Sequence, residues 1–321
     1  MTGGAGFIGS HVAEALLRRG CQLTILDNLD DFYAQSRKRA NLREIAEVGA
    51  YDWIEGDICD AGAVDAALER ARPEIIIHLA AKAGVRPSIE HPDLYERVNV
   101  AGTLNLLEAA RKFRVEKFVF GSSSSVYGES GRVPFSESEM QMRPISPYAA
   151  TKLAGELLCY TYAHLHGLAC VCLRFFTVFG PRQRPDLAIY KFTALMEAGK
   201  AIPIFGDGSS GRDYTYVGDI VAGILSSLDY RLLDSPPFDV LNLGGSHPVK
   251  LSELISQLEV ATGKEAVRDV QPMQPGDVSI TWADIGKARR LLGYEPRVSL
   301  VEGLEKFVGW YRAVGRGAPG L

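Results

Sequence analysis

The segment Gly3-Gly4-Ala5-Gly6-Phe7-Ile8-Gly9 places glycines three residues apart, and apolar residues at helical spacing follow at once over 10–19. Gly3 and Gly6 let backbone N–H groups approach a diphosphate, Gly9 lets the helix sit close to a sheet, and the helix N-terminus favours negative charge. Glycine turns also merely connect elements, so the motif counts only between a strand and a helix. The first half of the chain supplies that setting. Short apolar runs at 21–26, 51–54, 75–79, 117–120 and 168–175 alternate with helical patterns at 37–48, 61–71, 94–113 and 148–166. Repeated strand–helix units imply an α/β fold with a parallel sheet covered on both faces.

The second half changes character. Pro and Gly become frequent, and the helical patterns at 188–198, 217–228, 251–262 and 300–314 are separated by short runs. This predicts a smaller, irregular lobe on the carboxyl edge of the sheet. We place a nucleotide-binding domain at 1–175, taking in 213–243, and a lobe mainly at 176–212 and 244–321. The 35 basic and 39 acidic residues leave a net charge of −4, and no basic excess points to nucleic acid or an anionic membrane. No apolar run reaches the ~18 residues of a membrane span. Five cysteines without a CxxC pair fit a reducing cytoplasm better than a disulfide scaffold. The six histidines show no metal-ligand spacing. His78 falls in a buried strand pattern, and His11 is expected to cap the first helix turn.

Asp27 ends the apolar run after the glycine turn, 18 residues beyond Gly9. A carboxylate there accepts hydrogen bonds from an adenosine ribose and repels a 2′-phosphate, which favours NAD over NADP. Asp57 has two readings, an adenine contact or a helix cap. Tyr148 and Lys152, four residues apart at a helix start, share a face. A nearby ammonium lowers a phenol's pKa from its usual value of about 10 and makes it a usable base. The spacing also arises by chance. Four serines, Ser122 to Ser125, follow a parallel strand where such sheets bind ligands, and they can relay a proton to Tyr148.

Together, Thr2-Gly3-Gly4-Ala5-Gly6-Phe7-Ile8-Gly9, Asp27-Asn28, the serines leading to Val126-Tyr127-Gly128, and Tyr148-Ala149-Ala150-Thr151-Lys152 resemble the extended short-chain dehydrogenase/reductases. More narrowly they resemble the nucleotide-sugar epimerases and dehydratases, over residues 2–311. The resemblance implies a Rossmann domain with tightly held NAD, a C-terminal lobe for a nucleoside-diphosphate sugar, and Ser123, Tyr148 and Lys152 as the catalytic set. It further implies cofactor contacts at Gly3, Gly6, Phe7, Ile8, Gly9, Asp27, Asn28, Asp57, Ile58, Leu79, Ala80, Ala81 and Asn99. Substrate contacts are implied at Arg86, Ser123, Ser124, Ser125, Thr177, Arg184, Lys191, Arg212 and Asp277, with no metal. A homodimer through two long helices, 94–113 and 148–166, is also implied.

Three positions narrow the activity. Dehydratases of this group resemble one another in carrying Asp and Glu after the catalytic hydroxyl, where this chain has Ser124 and Ser125, so elimination lacks its acid and base. Thr177 stands where UDP-hexose epimerases and UDP-glucuronate decarboxylases carry Asn, and resembles the UDP-glucuronate 4-epimerases. So do Arg184-Pro185-Asp186 and Met273-Gln274-Pro275-Gly276-Asp277. Lys82 departs from the usual Gln, and Pro181-Arg182-Gln183 looks more like the UDP-hexose type. Ser123, Ser124 and Thr177 would hold the sugar's C5 carboxylate and keep its bond out of line with the C4 carbonyl, which blocks CO₂ loss. Arg184 would meet the rotating 4-keto sugar or its carboxylate, and Arg212 the diphosphate. The expected activity is NAD-dependent 4-epimerisation of UDP-glucuronate. A UDP-glucose or UDP-N-acetylglucosamine 4-epimerase, and a non-catalytic NAD-binding sensor, stay open.

A Rossmann sheet has a central first strand before the glycine turn. Met1 alone precedes Thr2, which predicts a clipped start or a gap between the strands that would flank it.

Overall fold

The computed structural model describes residues 1–129, 131–272 and 278–314. Helix α1 (Phe7–Arg18) leaves the glycine turn, and strand β1 (Thr24–Asp27) follows. Next come α2 (Gln35–Val48), β2 (Asp52–Glu55), α3 (Ala61–Ala71) and β3 (Ile75–His78). The region expected as one helix over 94–113 is three pieces after α4 (Val85–Glu90): α5 (Pro92–Glu96), a π-helical turn Arg97–Ala101, and α6 (Gly102–Lys112). Then follow β4 (Lys117–Ser123), a 3₁₀ turn Ser124–Tyr127, α7 (Pro147–His166) and β5 (Ala169–Phe175). The remaining elements are β6 (Thr177–Phe179), α8 (Ala188–Glu197), β7 (Ile202–Phe205), β8 (Gly211–Tyr216), α9 (Val217–Asp229) and β9 (Phe238–Leu243). The chain closes with β10 (Pro248–Lys250), α10 (Leu251–Thr262), β11 (Arg268–Gln271), α11 (Gly286–Leu292) and α12 (Leu300–Ala313).

The main sheet is parallel, as the strand–helix alternation predicts. Its order is β3-β4-β5-β9 in one section and β1-β2 in another. Thr2 lies between these sections, parallel to Leu26 on one side and His78 on the other. The Thr2 amide donates to the Ile77 carbonyl and the Leu26 amide to the Met1 carbonyl, so the first two residues join the two sections. Apolar faces of α1, α9 and α11 pack on one side of the sheet, and those of α3, α6 and α7 on the other.

The second lobe has its own core, built from α8, α10, α12, Phe179, Ile202 and Ile204. Two small sheets, β10-β8-β6 and β11-β7, frame it. The chain passes between lobes at the end of β8. That strand pairs with β6, whereas β9 pairs with β5 of the main sheet. The lobes are joined by charged contacts. Arg182 donates to Glu44 at 2.8 Å and also reaches Glu14. Arg37 of α2 stacks over Tyr190 of α8 at 4.8 Å. His11 does not cap α1. Its Nε2 lies 3.0 Å from the Pro181 carbonyl, and Gly6 occupies the N-cap with no side chain to serve. Among the described residues, no helix is long and apolar enough to cross a membrane, and no His, Cys, Asp or Glu group is placed to hold a metal ion.

Candidate active site

A cleft of about 590 Å³ opens at the carboxyl ends of β1, β3 and β4. Gly3, Gly6, Phe7, Ile8 and Gly9 form its floor. Gly3 has φ +71°, and a Cβ there would meet the Ala80 nitrogen at 2.6 Å. Gly9 serves differently from expectation: its Cβ would lie 2.1 Å from the Gly3 carbonyl oxygen, so it lets the helix close on its own turn. The first amides of α1 have no intrahelical acceptor, and the first turn has neither an acidic residue nor a capping side chain. A diphosphate suits that end. The cradle and the uncapped helix therefore fit a dinucleotide.

The walls carry the other cofactor positions. Asp27, at the end of β1, accepts the Ala5 amide at 3.1 Å and the Leu29 amide at 2.9 Å. Burial pushes its carboxyl upward, opposed by Lys38 and those amides. Asn28 donates to Asp57 at 3.1 Å. Asp57 also accepts the Cys59 amide, while the helix cap of α3 is Asp60, so Asp57 is left facing the cleft beside Ile58. Leu79, Ala80 and Ala81 form the opposite wall after β3. Asn99 stands behind that wall. Its amide donates to the Lys82 carbonyl at 2.9 Å and to Thr151 at 3.0 Å, and accepts the Lys82 amide at 2.8 Å. It thus ties the wall to α7 between Tyr148 and Lys152.

Tyr148 and Lys152 project from one face of α7 into the cleft. Lys152 Nζ donates to the Gly121 carbonyl at 2.7 Å, and burial lowers its pKa to about 8 against the pull of Glu156. Burial raises the Tyr148 phenol, and the opposing groups are the Ser123 hydroxyl and Arg184 rather than Lys152. β4 extends further than expected and takes Ser122 and Ser123 into the strand. Ser122 lines the cleft, but its hydroxyl donates to Glu156 at 2.5 Å. Ser123 accepts the Ser125 amide at 3.2 Å, which starts the turn carrying Ser124. The register Ser123↔Phe175 brings the end of β4 beside the end of β5, two residues before Thr177.

Arg184 is no solvated loop cation. It lines the cleft, forms a two-point pair with Asp186 at 3.0 and 2.8 Å, and lies 5.4 Å over the Phe32 ring. Its neighbours in the loop hold it there: Arg182 bonds Glu14 and Glu44, and the Gln183 amide donates to Val178 at 3.3 Å. Among the described residues, Arg184 alone of the expected substrate contacts lines the cleft. Ser123, Ser124, Ser125 and Thr177 stand outside its lining, at the ends of β4 and β5, although the Ser123 hydroxyl bonds the Tyr148 phenol. Three more lie further off. Arg86 stacks 4.5 Å over Phe205, Lys191 is half-buried on α8, and Arg212 on β8 donates to Gly211 at 2.9 Å. Asp277 falls outside the described residues.

Lys38 in the cleft and Glu156 behind it belong to no sequence motif. Lys38 is buried on α2 with its ammonium 5.0 Å from the Tyr33 ring, and burial lowers its pKa against the pull of Asp27. Its spacing to Asn41 and Ile45, both buried, was the available signal. Glu156, one turn beyond Lys152 on α7, pairs with Arg174 at 2.7 Å.

Comparison with known proteins agrees with this geometry. The model for the GDP-mannose 4,6 dehydratase family matches residues 1–307. The UDP-glucuronate 4-epimerase of Thermodesulfobacterium geofontis is 43% identical over 97% of this chain and 94% of its own length. Among solved structures, UDP-glucuronic acid 4-epimerase from Bacillus cereus, in complex with UDP-glucuronic acid and NAD, superposes with a TM-score of 0.91. It is 37% identical, with 98% of each chain covered. UDP-glucose 4-epimerase of Thermotoga maritima, with UDP-glucose, gives a TM-score of 0.89 at 35% identity over 97% of each chain. The chain belongs to the GDP-mannose 4,6 dehydratase family of extended short-chain dehydrogenase/reductases.

Proposed function

We propose that the protein is a UDP-glucuronate 4-epimerase, interconverting UDP-glucuronate and UDP-galacturonate with NAD as resident cofactor. The observation that supports the choice of sugar is Arg184, held in the cleft beside the Tyr148 phenol, whose pair with Asp186 must open or be shared when it meets the 4-keto sugar or its carboxylate. A uronate brings a carboxylate that such a cation suits, and a neutral hexose does not. The relatives from Thermodesulfobacterium geofontis and Bacillus cereus support the same substrate.

In this reading Tyr148 takes the O4 proton, with Ser123 relaying it. Lys152 keeps positive charge behind the cofactor face, and Ser123, Ser124 and Thr177 hold the C5 carboxylate. NAD, when bound, supplies a carrier that takes up the C4 hydrogen and returns it. The 4-keto sugar turns about its phosphate link, so return occurs on the opposite face and no net redox follows. The glycine turn holds the dinucleotide, and Arg212 with the lobe at 176–212 and 244–321 holds the UDP sugar. Ser124 and Ser125 leave elimination without its acid and base, despite the dehydratase for which the family is named.

A UDP-glucose 4-epimerase is the second reading, favoured by Pro181-Arg182-Gln183 and the Thermotoga maritima likeness. Arg182 is taken up in joining the lobes and Gln183 in bracing its own turn, which weakens that argument. Exposed Leu157, Tyr160 and Leu165 on α7 and Leu104 on α6 support a homodimer through these helices. Five free cysteines support a reducing, cytoplasmic setting. Incubation with UDP-glucuronate, UDP-glucose and UDP-N-acetylglucosamine, followed by NMR, tests the reading. Only UDP-glucuronate should give its 4-epimer. A pentose product, or turnover of the neutral sugars alone, would overturn the assignment.

A further inference from the structure

The glycine turn springs from Thr2, which bonds to β1 on one side and β3 on the other. The segments leaving those two strands therefore flank the turn. The first carries Asp30 and the second Lys82, and both side chains line the cleft. They meet across it: Lys82 Nζ lies 2.8 Å from one Asp30 carboxylate oxygen and 2.7 Å from the other.

Each end of this pair is braced independently. The Asp30 amide donates to Asn28 at 3.0 Å, and the Asp30 carboxylate accepts the Phe32 amide at 3.0 Å. The Lys82 backbone is held at both its amide and its carbonyl by Asn99. The two side chains are 13% and 27% exposed, enough shielding to strengthen the pair over one in open water. Since each segment has its own anchors, what the pair adds is closure from wall to wall above the turn.

We propose that Asp30 and Lys82 form a latch over the dinucleotide seated on the glycine turn, and that it slows the cofactor's departure. This rests on the NAD reading above. A competing role for Lys82, binding cofactor phosphate directly, makes the opposite prediction for Asp30. Under that role Asp30 draws the ammonium away from the cofactor, and removing its charge should tighten binding.

Release of NADH, followed by loss of its fluorescence on mixing with excess NAD, separates the two. Asp30→Asn and Lys82→Gln should each speed release about fivefold. The double variant should be no faster than either single one. High salt should speed release from the unmodified protein and leave the variants nearly unchanged. Thermal melts of the variants check that the fold is intact. Unchanged or slower release from Asp30→Asn, or additive effects in the double variant, would overturn the latch. Failure of the unmodified protein to bind NADH at all would remove the dinucleotide reading and the latch with it. Normal binding with an indifferent Asp30→Asn would remove the latch alone.

Discussion

Glu156→Gln should be among the most costly single changes near the site. The Glu156 carboxylate accepts hydrogen bonds from Ser122 at 2.5 Å and from Arg174 at 2.9 and 2.7 Å. The Arg174 and Glu156 side chains are 2% and 4% exposed. Glutamine keeps the shape but removes the charge, leaving a buried guanidinium uncompensated, which costs about 3–5 kcal/mol. Against a total stability of roughly 5–15 kcal/mol, that is a large fraction. Replacing both partners, Glu156→Leu with Arg174→Met, should recover at least about 2 kcal/mol of the loss, because no lone charge remains. Urea unfolding followed by tryptophan fluorescence measures both. The same carboxylate opposes the burial that lowers Lys152 to about 8. Without it the ammonium is lost at lower pH, so the alkaline limb of kcat/KM should move to lower pH in Glu156→Gln. A loss under about 1 kcal/mol with an unmoved alkaline limb would refute the buried ion pair as described.

Tyr148→Phe should lower epimerisation by about 10²–10⁴-fold while NADH binding, read by fluorescence, persists. Thr177→Val combined with Ser124→Ala should raise KM for UDP-glucuronate by about tenfold, from two lost hydrogen bonds, and let a pentose product appear by NMR. His78, buried between Thr2 and Thr103, has its pKa lowered to about 3 by burial. Below pH ~6.5 the unfolded chain takes this proton and the native one does not, so stability falls by about 1.4 kcal/mol per pH unit as acid is added. His78→Gln should remove that component from the slope of urea stability between pH ~6 and ~4, and parallel slopes would count against it.

Much of the fold is legible as pattern. Residues 61–71 and 251–262 read as helices from spacing alone, and the strand–helix alternation requires a parallel sheet. The break in 94–113 is not legible. The π-helical turn at 97–101 coincides with Asn99, whose partners Lys82 and Thr151 are distant in sequence. The end of β4 was similarly hidden, because hydroxyl side chains carry little strand signal until Ser122 finds Glu156.

The site shows the same division. The glycine turn, Asp27 and the Tyr148–Lys152 spacing announce themselves because backbone approach and helix periodicity act locally. Charge partnerships do not. Lys38 sits in a helix that reads as charged and solvated, yet it is buried facing Tyr33. Arg184 reads equally well as a surface cation, and its burial depends on Arg182 reaching across to α1 and α2. Lys152 shares the Tyr148 face as its spacing predicts, while the Gly121 carbonyl that takes one of its ammonium hydrogens is 31 residues away and not legible from the helix.

In the proposed mechanism the C4 hydrogen leaves and returns within one site. Turnover of UDP-glucuronate deuterated at C4, in ordinary water, should therefore give UDP-galacturonate with deuterium retained at C4 and no accumulation of NADH. Exchange of that deuterium with solvent would contradict it.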